Sequence, residues 1–96
     1  MNGNYGKQLA VLDRGFIYAG NVSVADGVVT IAQAQNVRRW GTSRGLGELA
    51  ANGPLPDTVL DPAGTVTAPV GSLIHLLALD EAAWAATLGA AAPSAA

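Results

Sequence analysis

Ninety-six residues with a formal net charge of −2 allow one domain of modest core and leave no room for an independent second one. Half of the residues are hydrophobic, but only 12% are charged and 5% aromatic; with no cysteine and one histidine, disulfides, thiolate metal sites and histidine-cluster metal sites are excluded. So weakly charged a surface implies that copies of the chain or a partner cover part of it, and the acidic balance argues against general nucleic-acid binding, which needs several lysines and arginines on one face.

Met1 to Gly6 (MNGNYG) is polar and Gly-rich and reads as an arm, flexible or swapped onto a neighbouring subunit, so residues 1–7 are set apart from a single domain over 8–89. Gln8 to Leu12 is a short strand ending in the turn Asp13-Arg14-Gly15. Phe16 to Val24 is the next, with Phe16, Tyr18, Gly20, Val22 and Val24 on one face, and Gly20 marks a bulge or a close backbone approach. Asp26-Gly27 supplies the positive φ of a tight hairpin turn, and Val28 to Ile31 returns as a β-branched strand.

The chain then crosses small and amide residues into Val37-Arg38-Arg39-Trp40, read as another strand in which Arg38 and Trp40 share one face and Val37 and Arg39 the other. Gly41 to Gly45 is turn chemistry, with Thr42 and Ser43 as candidate N-caps and Glu48 in the first turn of a helix. Leu46, Leu49 and Ala50 form its apolar stripe, and Gly53-Pro54 ends it. Thr58 to Leu60 and Thr65 to Ala68 read as a strand pair around the β-turn Asp61-Pro62-Ala63-Gly64. Ser72 to Leu79 is a further strand, Asp80 caps a last helix from Glu81 to Leu88 with Ala83, Trp84 and Leu88 as its apolar side, and residues 90–96 are a low-complexity tail. The sum is an α+β domain: a mostly antiparallel sheet or small open barrel of about six strands with two short helices, whose edges invite oligomerisation.

Three of the five basic residues and one of the two tryptophans fall within Arg38 to Arg44. Arg38, Arg39, Trp40, Gly41, Thr42, Ser43 and Arg44 could build an anion site: main-chain N–H groups of the turn face a phosphate, arginines clamp it bidentately and the indole stacks on a base. The competing reading pairs the arginines with Asp57, Asp61 or Glu48 and buries Trp40 in the core. Gly41, Gly45 and Gly47 do not make GxGxxG, and no Gly-Lys-Ser/Thr is present, so the turn follows neither phosphate-loop fingerprint. His75, in an apolar run, reads as a buried or partly buried structural histidine rather than a general base. Asp57 and Asp61 suit turns, Ser43 and Ser72 have no base and orienting acid, and no catalytic constellation emerges, so the chain reads as a non-enzyme without cofactor or metal.

The Asp26-Gly27 hairpin, NVRRWGTSRGLGELAANGP from Asn36 to Pro54 and TVLDPAGTV from Thr58 to Val66 together resemble a small family of unknown function associated with tailed bacteriophages and prophages, over roughly residues 9 to 84. The resemblance implies a phage or mobile-element origin; the Ala-rich tail departs from it. With no signal-peptide pattern and no apolar run approaching the ~18 residues that span a bilayer, the expectation is a soluble protein of the host cytoplasm. The function expected is capture of a small anionic ligand, a nucleotide or cyclic nucleotide defence signal, by a homo-oligomer without general nucleic-acid binding and without membrane contact. The alternatives are a structural or assembly protein of a phage particle and an inhibitor docking on a host protein.

Overall fold

A computed structural model describes residues 2–88. Five strands, β1 (Gly3–Leu12), β2 (Ile17–Ala25), β3 (Val28–Arg39), β4 (Val59–Pro69) and β5 (Leu73–Ala78), form one antiparallel sheet in the order β4-β3-β2-β1-β5. Two helices, α1 (Leu46–Asn52) and α2 (Glu81–Leu88), complete an α+β fold.

The β2–β3 hairpin follows from Asp26 and Gly27, whose φ values of 53° and 79° are both positive, as a two-residue turn that matches strand twist requires. Gly20 is needed for space: a Cβ there would lie 2.6 Å from a methyl of Ile31, beside the point where the β2–β3 register shifts by one residue. The extra residue falls on β3 at Gln33, which takes a positive φ of 55°.

Those irregularities explain why five strands form where about six were expected. The small and amide residues from Ala32 to Asn36 do not interrupt the chain; they carry a bulge through which β3 continues unbroken. Likewise Asp61 to Gly64 is not a β-turn. Gly64, at φ 70°, bends β4 through a register shift, and Pro62 is tolerated because β4 is an edge strand. Residues 3–7, expected as an arm, belong to β1 and pair with β2 of the same chain, Gly3 opposite Val24. The tail at 90–96 lies outside the described residues.

The sheet is curled. Pro69 ends one edge strand and Leu73 begins the other, a span of at most about 14 Å, whereas the outer strands of a flat five-stranded sheet stand about 19 Å apart. The concave side encloses Ala10, Val22, Val24, Val29 and Ile31, closed over by Val66, Val70, Leu73 and Leu76 from the edge strands and their link. The other side carries Leu9, Ile17, Ala19 and Val37, against which Leu49 of α1 and Trp84 and Leu88 of α2 pack.

The start of α2 and the end of α1 follow from their sequences. Asp80 Oδ1 accepts from the N–H groups of Ala82 and Ala83, at 2.9 and 3.2 Å, capping α2. Gly53, at φ 80°, closes α1 with its N–H on the Leu49 carbonyl. Thr42 and Ser43 do not cap α1: Gly45 occupies the N-cap, and Thr42 Oγ1 donates to its carbonyl at 2.8 Å. His75, expected to be buried or partly buried, is exposed on β5, an edge strand with no neighbour on its outer side among the described residues. No helix among the described residues is long and apolar enough to cross a membrane.

Candidate functional site

β3 delivers Arg38 and Arg39 to one end of the sheet and Trp40 just past it. A buried strand should alternate inside and outside, and Val37 is indeed buried; yet Arg38, Arg39 and Trp40 are exposed in succession. The cause is a register shift between Val37 and Arg39, where two residues of β3 oppose one of β4. The expected alternation therefore stops at Val37.

Trp40 is not part of the core: it is 43% exposed. Its backbone, by contrast, is pinned. Thr58 Oγ1 donates to the Trp40 carbonyl at 2.7 Å and accepts from Leu55 N–H at 2.9 Å, while Thr58 N–H bonds the Leu55 carbonyl. Gly41, at φ 68°, lies so close to the backbone of Asp57 and Thr58 that no Cβ fits there. An indole standing in solvent on a fixed main chain has little backbone entropy left to lose on binding, and exposed aromatic side chains of this kind serve as binding anchors.

The arginines divide. Arg38 meets Asp61 across the β3–β4 ladder, Nε donating to Oδ2 at 2.7 Å and Nη2 to Oδ1 at 3.4 Å, with both side chains well exposed. This is one pairing of the competing sequence reading, and an exposed pair of this kind contributes only about 0–1 kcal/mol. The only other salt bridge among the described residues joins Lys7 to Glu81, so Arg39 and Arg44 hold no carboxylate.

The turn from Gly41 to Gly45 is not an empty phosphate cradle. Glu48 Oε1 reaches back to accept from the main-chain N–H of Arg44 at 2.8 Å, so a carboxylate of the chain itself already occupies that donor. Thr42 is committed to Gly45, and Ser43 is exposed. Of the seven residues that the sequence singles out, the structure leaves Trp40, Arg39 and Arg44 with unoccupied recognition groups and makes Gly41 and Thr42 their scaffold. Arg38 retains part of its fork.

Two contributors escaped the sequence reading. Thr58 reads in the sequence only as part of a strand, although a hydroxyl next to a Pro-Asp loop is well suited to bridge main-chain groups. Phe16, which the alternation of the sequence sets on a strand face, is 52% exposed just before β2 begins. A shallow groove lined by Gly47, Ala51, Ala78 and Asp80 lies between α1 and β5, on other residues than the arginines. Among the described residues no three His, Asp or Glu side chains gather as a metal cluster would require. Compared with protein-family models, curated proteins and solved structures, the chain matches none of them.

Proposed function

We propose that this chain is a non-enzymatic binding protein that captures a small anionic ligand with a planar face, a nucleotide, at Trp40 with Arg39 and Arg44. The single observation that carries the reading is the exposure of Trp40 on a main chain fixed by Thr58 and Gly41. A core tryptophan would be buried like Trp84, and an incidental surface tryptophan would not need a glycine packed against the neighbouring loop. Stacking supplies affinity for the base, and two guanidiniums without carboxylate partners supply it for phosphate. Capture requires affinity alone. In the phage setting that the sequence resemblance implies, it would remove a nucleotide defence messenger from the host cytoplasm.

Thermal unfolding against a panel of mono-, di- and cyclic nucleotides tests this. A ligand at 100 times its dissociation constant adds about 2.7 kcal/mol of apparent stability, several degrees for a domain of this size. The rise should vanish in Trp40→Ala and shrink in Arg39→Ala. A flat panel for the wild-type chain overturns the proposal.

A second reading, an assembly component, is favoured by the two strands β4 and β5, each with one side unpaired among the described residues. It predicts a defined oligomer whose mass, measured by light scattering, is unchanged in Trp40→Ala.

A further inference from the structure

The two edges of the sheet are guarded differently. β4 carries Pro62 and Pro69, which offer no N–H, together with the charge of Asp61 and a register shift at Gly64, features that keep another strand from pairing there. β5 (LIHLLA) has no proline and no acidic, lysine or arginine residue, and its Ile74, 60% exposed, is the most exposed large apolar side chain among the described residues. Leu76 packs on the concave cluster and Leu77 on the cluster beneath the helices, and both are only half-buried, so each core is left partly open along this one strand. Which main-chain groups of β5 face outward follows from one hydrogen bond. Leu79 N–H bonds the Lys7 carbonyl, and the β1–β5 pairing runs without a shift from Gln8 and Ala78 to Val11 and His75. Opposed residues of an antiparallel ladder alternate between exchanging hydrogen bonds and not. Leu79, Leu77 and His75 therefore bond β1, while Ala78 and Leu76 turn their N–H and C=O groups away from it. The register shift in this ladder falls beyond His75, outside that stretch.

From these observations we infer that β5 is a homodimer interface, on which β5 of a second copy pairs antiparallel across a two-fold axis at Leu76. The inference deepens the assembly reading and does not depend on Trp40. The occupant is a second copy because this edge is complementary to itself. The outward N–H and C=O of Leu76 meet the C=O and N–H of Leu76 of the second copy. A two-fold axis normal to the sheet sets concave side beside concave side, so each half-buried Leu76 covers the other, and no acid, lysine or arginine of β5 faces its own kind. Pairing of β5 with β4 of another copy would instead be head-to-tail and would grow into a filament; Pro62 and Pro69 guard against it, so association closes at two. The six residues of β5 span about 20 Å on a sheet about 10 Å thick. Such a contact is smaller than the roughly 800 Å² per partner of a standard interface, which makes the dimer a weak one that forms with concentration.

Sedimentation velocity of the full chain from about 10 μM to about 1 mM tests this, and should show monomer passing to dimer with no larger species. Amide hydrogen exchange, read by NMR at the two ends of that range, locates the contact without any substitution. The N–H groups of Leu76 and Ala78 should exchange more slowly as concentration rises, whereas those of His75 and Leu77, bonded to β1, should be slow throughout. Ile74→Lys places a charge on the edge and Ala78→Pro deletes an outward N–H; each should weaken the dimer at least about tenfold. Thr67→Lys, on β4, should leave it unchanged. All three positions are exposed, and a melt recorded at low concentration checks that each variant is folded. A chain that stays monomeric over the whole range overturns this inference and the assembly reading together. A dimer in which Leu76 and Ala78 exchange no more slowly, or one that survives both β5 variants, overturns the β5 interface and leaves the assembly reading standing. Growth beyond the dimer overturns the two-fold closure.

Discussion

The indole N–H of Trp84 points at the carbonyl of Leu49, 3.1 Å away, and reaches that of Ala50 at 3.2 Å. Those carbonyls lie in the last turn of α1, where main-chain acceptors lose their partners within the helix. Trp84, wholly buried, thus joins the two helices through its ring and caps one of them through its nitrogen. Each of these two carbonyls has a second donor: Gly53 N–H bonds that of Leu49, and Asp80 N–H that of Ala50.

That arrangement separates two substitutions. Trp84→Phe keeps most of the packing and loses the shared hydrogen bond, and because both carbonyls retain another donor the cost should be about 1 kcal/mol. Trp84→Ala empties the site and should cost about 3–5 kcal/mol. Thermal unfolding resolves them, since each kcal/mol shifts Tm by about 4–8 °C in a domain of this size.

Gly53 is held by two constraints at once. Its φ of 80° with ψ of 179° belongs to a region that only glycine occupies readily, and a Cβ would stand 2.5 Å from the carbonyl oxygen of Ala83. Gly64 has a similar φ of 70° but open space around it. Gly64→Ala should therefore cost about 1 kcal/mol, and Gly53→Ala about 2–4 kcal/mol, because α1 and α2 must also move apart. Equal urea midpoints for the two variants would sink the packing argument.

Lys7 and Glu81 form an unequal pair: the lysine side chain is 1% exposed and the glutamate 62%, with Nζ and Oε1 2.9 Å apart. Removing the acid strands a buried ammonium, so Glu81→Ala should lose about 1–3 kcal/mol. Lys7→Met keeps the aliphatic stem and removes the charge with its desolvation cost, and should lie within about 1 kcal/mol of the wild-type chain. Chemical denaturation of the two variants checks the order, with Lys7→Met expected as the more stable.

Local chemistry was legible wherever one or two residues decide a backbone conformation. Asp26-Gly27, Gly53 and Asp80 name their turn and caps, and the spacing of Trp84 and Leu88 names the buried side of α2. What could not be read is continuity across a bulge. Gln33 and Gly64 look like interruptions, because an extra residue that is absorbed by a partner strand leaves no mark until the partner is known. The site was visible as composition, in the crowding of arginines around Trp40, but its division was not. Whether Asp61 pairs with an arginine depends on β3 and β4 lying side by side across 23 residues of sequence, whereas Glu48 fills the turn through a local contact with the N–H of Arg44. Lys7 was hidden for the same reason, its partner standing 74 residues away.

The Arg38–Asp61 pair yields a prediction whose sign is opposite for two substitutions at one position. Asp61 does two things to an anion approaching Arg38: it repels the anion, and it holds the guanidinium still. Asp61→Asn removes the repulsion while its amide oxygen still accepts an N–H from the fork. At about 6 Å in water the repulsion removed is about 0.7 kcal/mol, roughly threefold in affinity. Asp61→Ala removes the repulsion and the anchor together, so the fork must be ordered again on binding, at a cost of about 0.5–1.5 kcal/mol for a long side chain. Nucleotide affinity should therefore rise about threefold in Asp61→Asn and stay level or fall in Asp61→Ala. At 1 M salt, where screening acts within about 3 Å, the gain in Asp61→Asn should disappear. Calorimetric titration at low and high salt measures all of these. An Asp61→Asn variant that binds no better than the wild-type chain at low salt would show that Arg38 is not among the groups that meet the ligand.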